Sequence, residues 1–224
     1  MLPPLYLDAA LLVLHKPAGL LSVPGRGPDK QDCVSTRVQA LYPDALVVHR
    51  LDQATSGLLL MARGPAMQRS LSALFATRQV QKRYLARVAG DCRHAPGWQT
   101  IDLPIGQHWP DRPRRHIATE GGQPSITHWR CLAYDPASDA SLLELEPLTG
   151  RTHQLRVHLQ ALGHPIWGDA LYAPPEVAAR SPRLLLHAYR LRLPHPQDAR
   201  PLECLAPCDF AEPGGAAALR GADH

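Results

Sequence analysis

A carboxylate and a guanidinium stand two residues apart, Asp52 and Arg50, in the run His49-Arg50-Leu51-Asp52-Gln53-Ala54-Thr55-Ser56-Gly57. An ionised aspartate can attack an electrophilic carbon or remove a proton, and an arginine beside it can balance charge or hold a phosphate. The small residues after Asp52 leave room for a ligand. Spacing alone equally fits an aspartate that caps a turn and meets Arg50 in a surface ion pair. Among the other groups able to do chemistry, His153 and His158 are five residues apart, poor spacing for two ligands on one helix face, so hydrogen-bonding roles are expected. The five cysteines (Cys33, Cys92, Cys131, Cys204, Cys208) form no CxxC pair and no Cys/His cluster at zinc spacing, and Cys204 and Cys208 read as small buried hydrophobes.

The elements that must position Asp52 are strands. Ala10 to Leu14 is a short apolar run broken by the Lys16-Pro17-Ala18-Gly19 turn, and Leu46 to Val48 leads into the polar segment. Leu58 to Met61 resumes strand character, so the motif is a polar loop between buried strands, a usual setting for chemistry. Met67, Leu71, Leu74 and Phe75 recur at helical spacing between Ala66 and Thr77. Tyr84 to Val88, Ser125 to Tyr134 and Ser141 to Leu145 read as further strands, the last two joined by an Asp-Pro-Ala-Ser-Asp turn. Thr152 is placed to cap a helix carrying Leu155, Leu159 and Leu162, which Gly163 and Pro165 stop. Leu184 to Leu186 and Leu191 to Leu205 suggest late strands. Strands that follow one another without helices between them predict an α+β fold with a mixed, mainly antiparallel sheet rather than a doubly wound parallel one. One domain over residues 1–211 is expected, with a loose Gly/Ala-rich tail at 212–224.

The segment from His49 to Leu60 resembles the catalytic motif of the RluA family of pseudouridine synthases. Lys82-Arg83-Tyr84-Leu85-Ala86-Arg87-Val88 and Gly150-Arg151-Thr152-His153-Gln154-Leu155-Arg156-Val157-His158 resemble that family's other motifs, in the same order. The likeness extends to Leu12–Gly19, Gly163–Asp169 and Leu184–Ala188. It implies a single pseudouridine-synthase catalytic domain, with helices flanking the sheet, a central catalytic cleft and no S4-type RNA-binding domain ahead of it. By the same resemblance Asp52 is the catalytic aspartate, Tyr84 the ring beside the reacting uracil and its base, and Arg151 the ionic partner of Asp52. Arg50 would fill the space a flipped base leaves, Leu155 would close the pocket, and His49 and Thr55 would line the substrate site.

The chemistry fits those side chains. Uridine becomes pseudouridine when the N1 to C1′ bond breaks, the uracil turns, and a bond from C5 to C1′ forms. A carboxylate can start this by attacking the nucleoside or by taking the ribose proton next to the anomeric carbon, and both routes stay open. The C5 proton must then leave, and a tyrosine over the ring can accept it. As a rearrangement the reaction needs no metal and no other cofactor, and none is expected. The short form, with Gly19 to Gly25 after the first turn and Leu103-Pro104-Ile105 ahead of Trp109-Pro110-Asp111-Arg112-Pro113, resembles the dual-specificity branch of the family. That implies an anticodon stem-loop of tRNA and a stem-loop of 23S rRNA as partners. A different uridine site, a non-catalytic RNA-binding or chaperone role, and a hydrolase using Asp52 with a histidine are the alternatives.

The bulk properties agree with an RNA partner without establishing one. Lys+Arg total 24 against 20 Asp+Glu in 224 residues, for a formal charge of +4. Lysine is nearly absent (Lys16, Lys30, Lys82), so the positive charge is arginine, suited to bidentate phosphate contacts and base stacking. The Arg112-Pro113-Arg114-Arg115 stretch with Trp109 reads either as a solvated loop or as an RNA-tracking one. A hydrophobic content of 45% is enough for a core. No apolar stretch is long enough to span a bilayer and no secretory leader is visible, so a cytoplasmic monomer is expected.

Overall fold

In the computed structural model, which describes residues 2–107 and 113–211, the chain runs β1 (Pro4–Leu7), β2 (Leu11–Lys16), α1 (Val34–Gln39), β3 (Ala45–Val47), β4 (Ser56–Arg63) and α2 (Gly64–Ala76). It continues through β5 (Gln81–Ala89), β6 (Gln99–Asp102), β7 (Ile105–Gln107), β8 (Arg115–Ile117), β9 (Ile126–Asp135) and β10 (Ala140–Pro147). The helices α3 (Gln154–Ala161) and α4 (Pro175–Ala178) then precede β11 (Leu186–Pro194) and β12 (Pro201–Leu205). Two compact units are formed. The first holds the chain up to Lys82 together with His187–Pro207, and the second holds Arg83–Leu186 with the described residues after Pro207.

The first unit is built around β4, whose residues Leu58 to Ala62 are all at most 2% exposed. A strand covered on both faces reads as a continuous apolar run rather than an alternating one, as Leu-Leu-Leu-Met-Ala does. One edge of β4 pairs antiparallel with β2, from Leu11↔Ala62 to Lys16↔Gly57. Its other edge takes β3 antiparallel at Met61 to Arg63 and β11 in parallel at Ser56 and Gly57. β1 extends the sheet beyond β2, and β12 pairs with β11. Gly57 sits at φ +113, and a Cβ there would lie 2.2 Å from the Ala188 carbonyl oxygen, so the close approach of β11 to the start of β4 requires glycine. Pro65 occupies the first turn of α2, where no intrahelical donor is lost. The helix lays Met67, Leu71, Leu74 and Phe75 on the core formed by β2, β4, β11 and β12. Each fully buried side chain of this size contributes about 1.5–3 kcal/mol.

In the second unit β5, β10, β9 and β6 form an antiparallel meander in that spatial order, and β7 pairs with β8 separately. Tyr84 on β5 lies opposite Leu145 on β10. Its neighbour Arg83 reaches the fully buried Glu144 at 3.2 Å, and Arg130 on β9 reaches the same carboxylate at 2.7 Å. Successive strand residues face opposite sides. The buried ion cluster on Arg83's side therefore fixes the register that presents Tyr84 on the other.

The mixed, mainly antiparallel α+β architecture expected from the sequence is the one observed, with β4 and β11 supplying the parallel pair. Most expected elements fall within a few residues of their read positions. The short β1, α1, β6, β7, β8 and α4 are additions. Trp109 and Arg112 of the Arg-rich stretch, and the expected tail at 212–224, lie outside the described residues.

Candidate active site

Asp52 sits in the crossing from β3 to β4, half-buried, and its carbonyl accepts the Thr55 N–H at 3.1 Å to close a turn. β2 ends beside this turn because Lys16 pairs with Gly57. Its ammonium is fully buried and donates to the carbonyls of Pro17 (3.0 Å), Leu20 (2.7 Å) and Gln53 (3.0 Å). Burial pushes the Lys16 pKa down to about 8, against the opposing pull of the Asp52 carboxylate. Gln53 is held twice more: its carbonyl accepts the Gly19 N–H at 2.8 Å, and its amide Nε2 donates to the Gly19 carbonyl at 3.0 Å. Lys16 is not among the candidates the sequence suggests. Its signal was the lysine at the last position of an apolar strand followed by Pro-Ala-Gly.

Arg50 is exposed next to this turn, and Thr55 is 3% exposed. His49, expected to line the substrate site, has another set of contacts. Its Nε2 accepts the Leu60 N–H at 2.9 Å, and its ring stacks on Phe75 at 4.8 Å between centroids. The Leu60 amide lies on the edge of β4 between the segments covered by β11 and β3. His49 satisfies it in place of a strand. Burial in these surroundings pushes the His49 pKa down to about 3, so the ring is neutral. Under the same turn Ser56 Oγ lies 2.8 Å from His187 Nδ1, and the His187 ring meets His15 edge-on at 5.3 Å.

In the second unit Arg151 lies in the turn ahead of α3. It is exposed, and its Nε donates to the Pro124 carbonyl at 3.4 Å. The expected cap at Thr152 is corrected: α3 begins at Gln154, and the residue before it, His153, takes the left-handed conformation (φ 58, ψ 17). The buried Gln154 amide instead holds the turn ahead of the helix. Its Oε1 accepts the Arg151 N–H at 3.1 Å and the Thr149 hydroxyl at 2.8 Å, while its Nε2 donates to the Ile126 carbonyl (2.9 Å) and Thr127 Oγ (3.0 Å). A glutamine with four polar sites matched in a buried setting fixes its neighbours firmly. The turn carrying Arg151 is thereby tied to β9.

A left-handed non-glycine residue costs of order 1–3 kcal/mol and persists only where its surroundings hold it. His153 is held by Tyr172, whose hydroxyl accepts the Arg115 N–H at 2.8 Å and is hydrogen-bonded to His153 Nδ1 at 2.7 Å. Tyr172 is positioned in turn by Asp169, which forms a two-point ion pair with Arg156 on α3 at 2.6 and 2.8 Å, with both partners buried. Leu155 is 7% exposed at the start of α3. His158 is the hydrogen-bonding residue the sequence suggested. Its Nε2 donates to the Leu103 carbonyl at 3.0 Å, and its Nδ1 accepts from Thr127 Oγ at 2.9 Å. Burial lowers its pKa.

Asp52 thus stands half-buried on a doubly anchored turn, Tyr84 on a strand, and Arg151 on a turn braced by buried polar groups. The family model described as RNA pseudouridylate synthase matches residues 10–161. The dual-specificity RNA pseudouridine synthase RluA of Escherichia coli K12 is 47% identical over 206 residues, covering 92% of this chain and 93% of the relative. The protein of the same description from Yersinia pestis is 44% identical and is covered over 98% of its length. Among solved structures, human RNA pseudouridylate synthase domain containing 1 superposes with a TM-score of 0.78 at 32% identity, over 97% of this chain and 87% of that one. The chain belongs to the RluA family of pseudouridine synthases. It is an RNA-modifying isomerase. No helix of the described residues is long and apolar enough to cross a membrane.

Proposed function

We propose that this pseudouridine synthase isomerises uridines in two kinds of stem-loop, the anticodon arm of tRNA and a hairpin of large-subunit rRNA, as a cytoplasmic monomer without a cofactor. The observation that carries the reading is the 47% identity, over nearly the full length of both chains, to a relative described as dual-specificity. A compact domain reads RNA by the shape of a loop and its splayed bases, which suits two different hairpins that share a local fold.

Asp52 initiates cleavage of the N1 to C1′ bond. Arg151 is its counter-charge, offsetting the loss of water around the carboxylate once RNA covers it. After the uracil turns and the C5 to C1′ bond forms, Tyr84 takes the C5 proton. Extruding the uridine costs a few kcal/mol, and Arg50, exposed beside Asp52, offsets part of that by occupying the vacated space. The family likeness also gives Thr55 and Leu155 as substrate contacts.

The test uses purified protein, without added metal or nucleotide, on RNA hairpins labelled with tritium at uridine C5. Release is expected from both the tRNA and the rRNA hairpins, and pseudouridine maps of cells lacking the gene should lose one site in each RNA. Release from one class alone would overturn dual specificity, and release from neither would overturn the substrate assignment. Arg151→Met is expected to lower turnover by about 100-fold, the scale of a misplaced reacting group, with RNA affinity changed less than about threefold. A normal rate with weakened binding would make Arg151 a phosphate contact instead.

A further inference from the structure

The turn that presents Asp52 has no strand ladder of its own. Between the end of β3 at Val47 and the start of β4 at Ser56, the backbone polar groups must find partners elsewhere. For Leu51, the residue immediately before Asp52, both are supplied by one side chain. The Ser22 hydroxyl donates to the Leu51 carbonyl at 2.7 Å and accepts the Leu51 N–H at 3.1 Å. Ser22 is 3% exposed and Leu51 is 7% exposed, so water does not compete for either bond.

Ser22 is itself anchored. Its carbonyl accepts the Ser35 N–H at 3.2 Å, and the Leu21 carbonyl accepts the Val34 N–H at 2.8 Å, which ties the segment to the first turn of α1. The peptide after Asp52 is held by Lys16 and Gly19 at the Gln53 carbonyl. The loop following β2 therefore grips the chain on both sides of Asp52. Only the upstream grip depends on a single hydroxyl.

We infer that Ser22 is a positioning residue for the reaction: its two bonds to Leu51 set the backbone from which the Asp52 carboxylate projects. This rests on the reading of Asp52 as the initiating carboxylate. A shift of about 1 Å in a reacting group can cost on the order of 100-fold in rate. Loss of the hydroxyl should therefore act on turnover, leaving the RNA-binding surface as it is.

The second unit contains a matched control. Ser141 on β10 is fully buried, and its hydroxyl makes the same pair of bonds, donating to the Gly90 carbonyl at 2.8 Å and accepting the Cys92 N–H at 3.0 Å. Ser22→Ala and Ser141→Ala each remove a buried hydroxyl that bonds one backbone carbonyl and one N–H, and both should lower the melting temperature by roughly 2–8 °C. Turnover, RNA affinity and folded fraction are measured at 25 °C for both, with Ser22→Cys as a near-isosteric variant and Asp52→Ala alongside.

Ser22→Ala is expected to lose about 30- to 100-fold in kcat, the scale of a misplaced carboxylate, with RNA Kd within about threefold. Ser22→Cys, with its weaker donor and acceptor, should lose about tenfold, and Ser141→Ala should stay within about twofold of the parent. Should Ser22→Ala not fold, Ser22→Cys decides: a parental rate overturns the inference. So does a Ser22→Ala chain with normal kcat, or a Ser141→Ala chain equally slow while folded. An active Asp52→Ala chain would instead overturn the underlying reading of Asp52. An inactive one beside a normal Ser22→Ala chain would leave that reading intact and sink Ser22 alone.

Discussion

Asp52→Ala is expected to abolish tritium release, by at least about 10,000-fold in kcat, while the protein remains folded and RNA affinity stays within a few-fold of the parent. The size follows from removing the group that starts bond exchange, a loss comparable to deleting a nucleophile or its base in other enzymes. Retention of the fold follows from the geometry of the turn. Its anchors are backbone groups: the Asp52 carbonyl to Thr55, the Leu51 peptide to Ser22, and the Gln53 carbonyl to Lys16 and Gly19. These backbone bonds remain without the Asp52 carboxylate charge. Removing that charge also removes the interaction that raises the Lys16 pKa, so Lys16 should titrate below its present value of about 8. Asp52→Asn, nearly isosteric but without the negative charge, should be as inactive as Asp52→Ala. A variant of either kind that turns over at the parental rate would remove Asp52 from the mechanism. If a cell lacking the gene were fully rescued by an inactive Asp52 variant, RNA binding alone would be the biological role.

How much of this was legible beforehand depended on the length and periodicity of each segment. The buried run of β4 and the amphipathic repeat of α2 were plain in the sequence, because a long pattern survives small errors of register. β7 and β8 have three residues each and carry no such pattern, and α1 has only six. The His49–Gly57 motif is legible as a polar loop between strands, but its supports are not. Lys16 and Ser22 bond residues 37 and 29 positions away, and a lone lysine or serine in a turn ordinarily reads as solvated. The place of His49 in the motif suggests a substrate contact, and the structure adds its bond to the Leu60 amide that strand pairing leaves open. The cap of α3 was read as Thr152 because a hydroxyl before an apolar repeat is the usual signal. The left-handed turn at His153 moves the helix start one residue on, and it is held by contacts from Tyr172, distant in sequence.

That turn makes Asp169 a residue of the second unit whose loss should matter strongly for stability. Asp169→Ala is expected to destabilise the protein by about 3–5 kcal/mol, the usual penalty for stripping one partner from a buried ion pair. At roughly 2–4 °C per kcal/mol for a chain of this size, the melting temperature should fall by about 6–20 °C. Three losses combine. The buried Arg156 guanidinium loses the carboxylate that meets it at 2.6 and 2.8 Å. The N–H groups of Leu171 and Tyr172, at 3.0 and 3.1 Å from Asp169 Oδ1, lose their acceptor. Tyr172 is then less firmly placed against His153, which relaxes the strained residue beside Arg151. Asp169→Asn should fall between parent and alanine variant, since its oxygen can still accept from the two backbone amides while its NH2 group faces the donating Arg156 Nε. Thermal unfolding of the three proteins checks the order. An Asp169→Ala chain within about 1 kcal/mol of the parent would show that the ion pair contributes little beyond the cost of burying it. An Asp169→Asn chain weaker than Asp169→Ala would show that the donor clash outweighs the two backbone bonds it preserves.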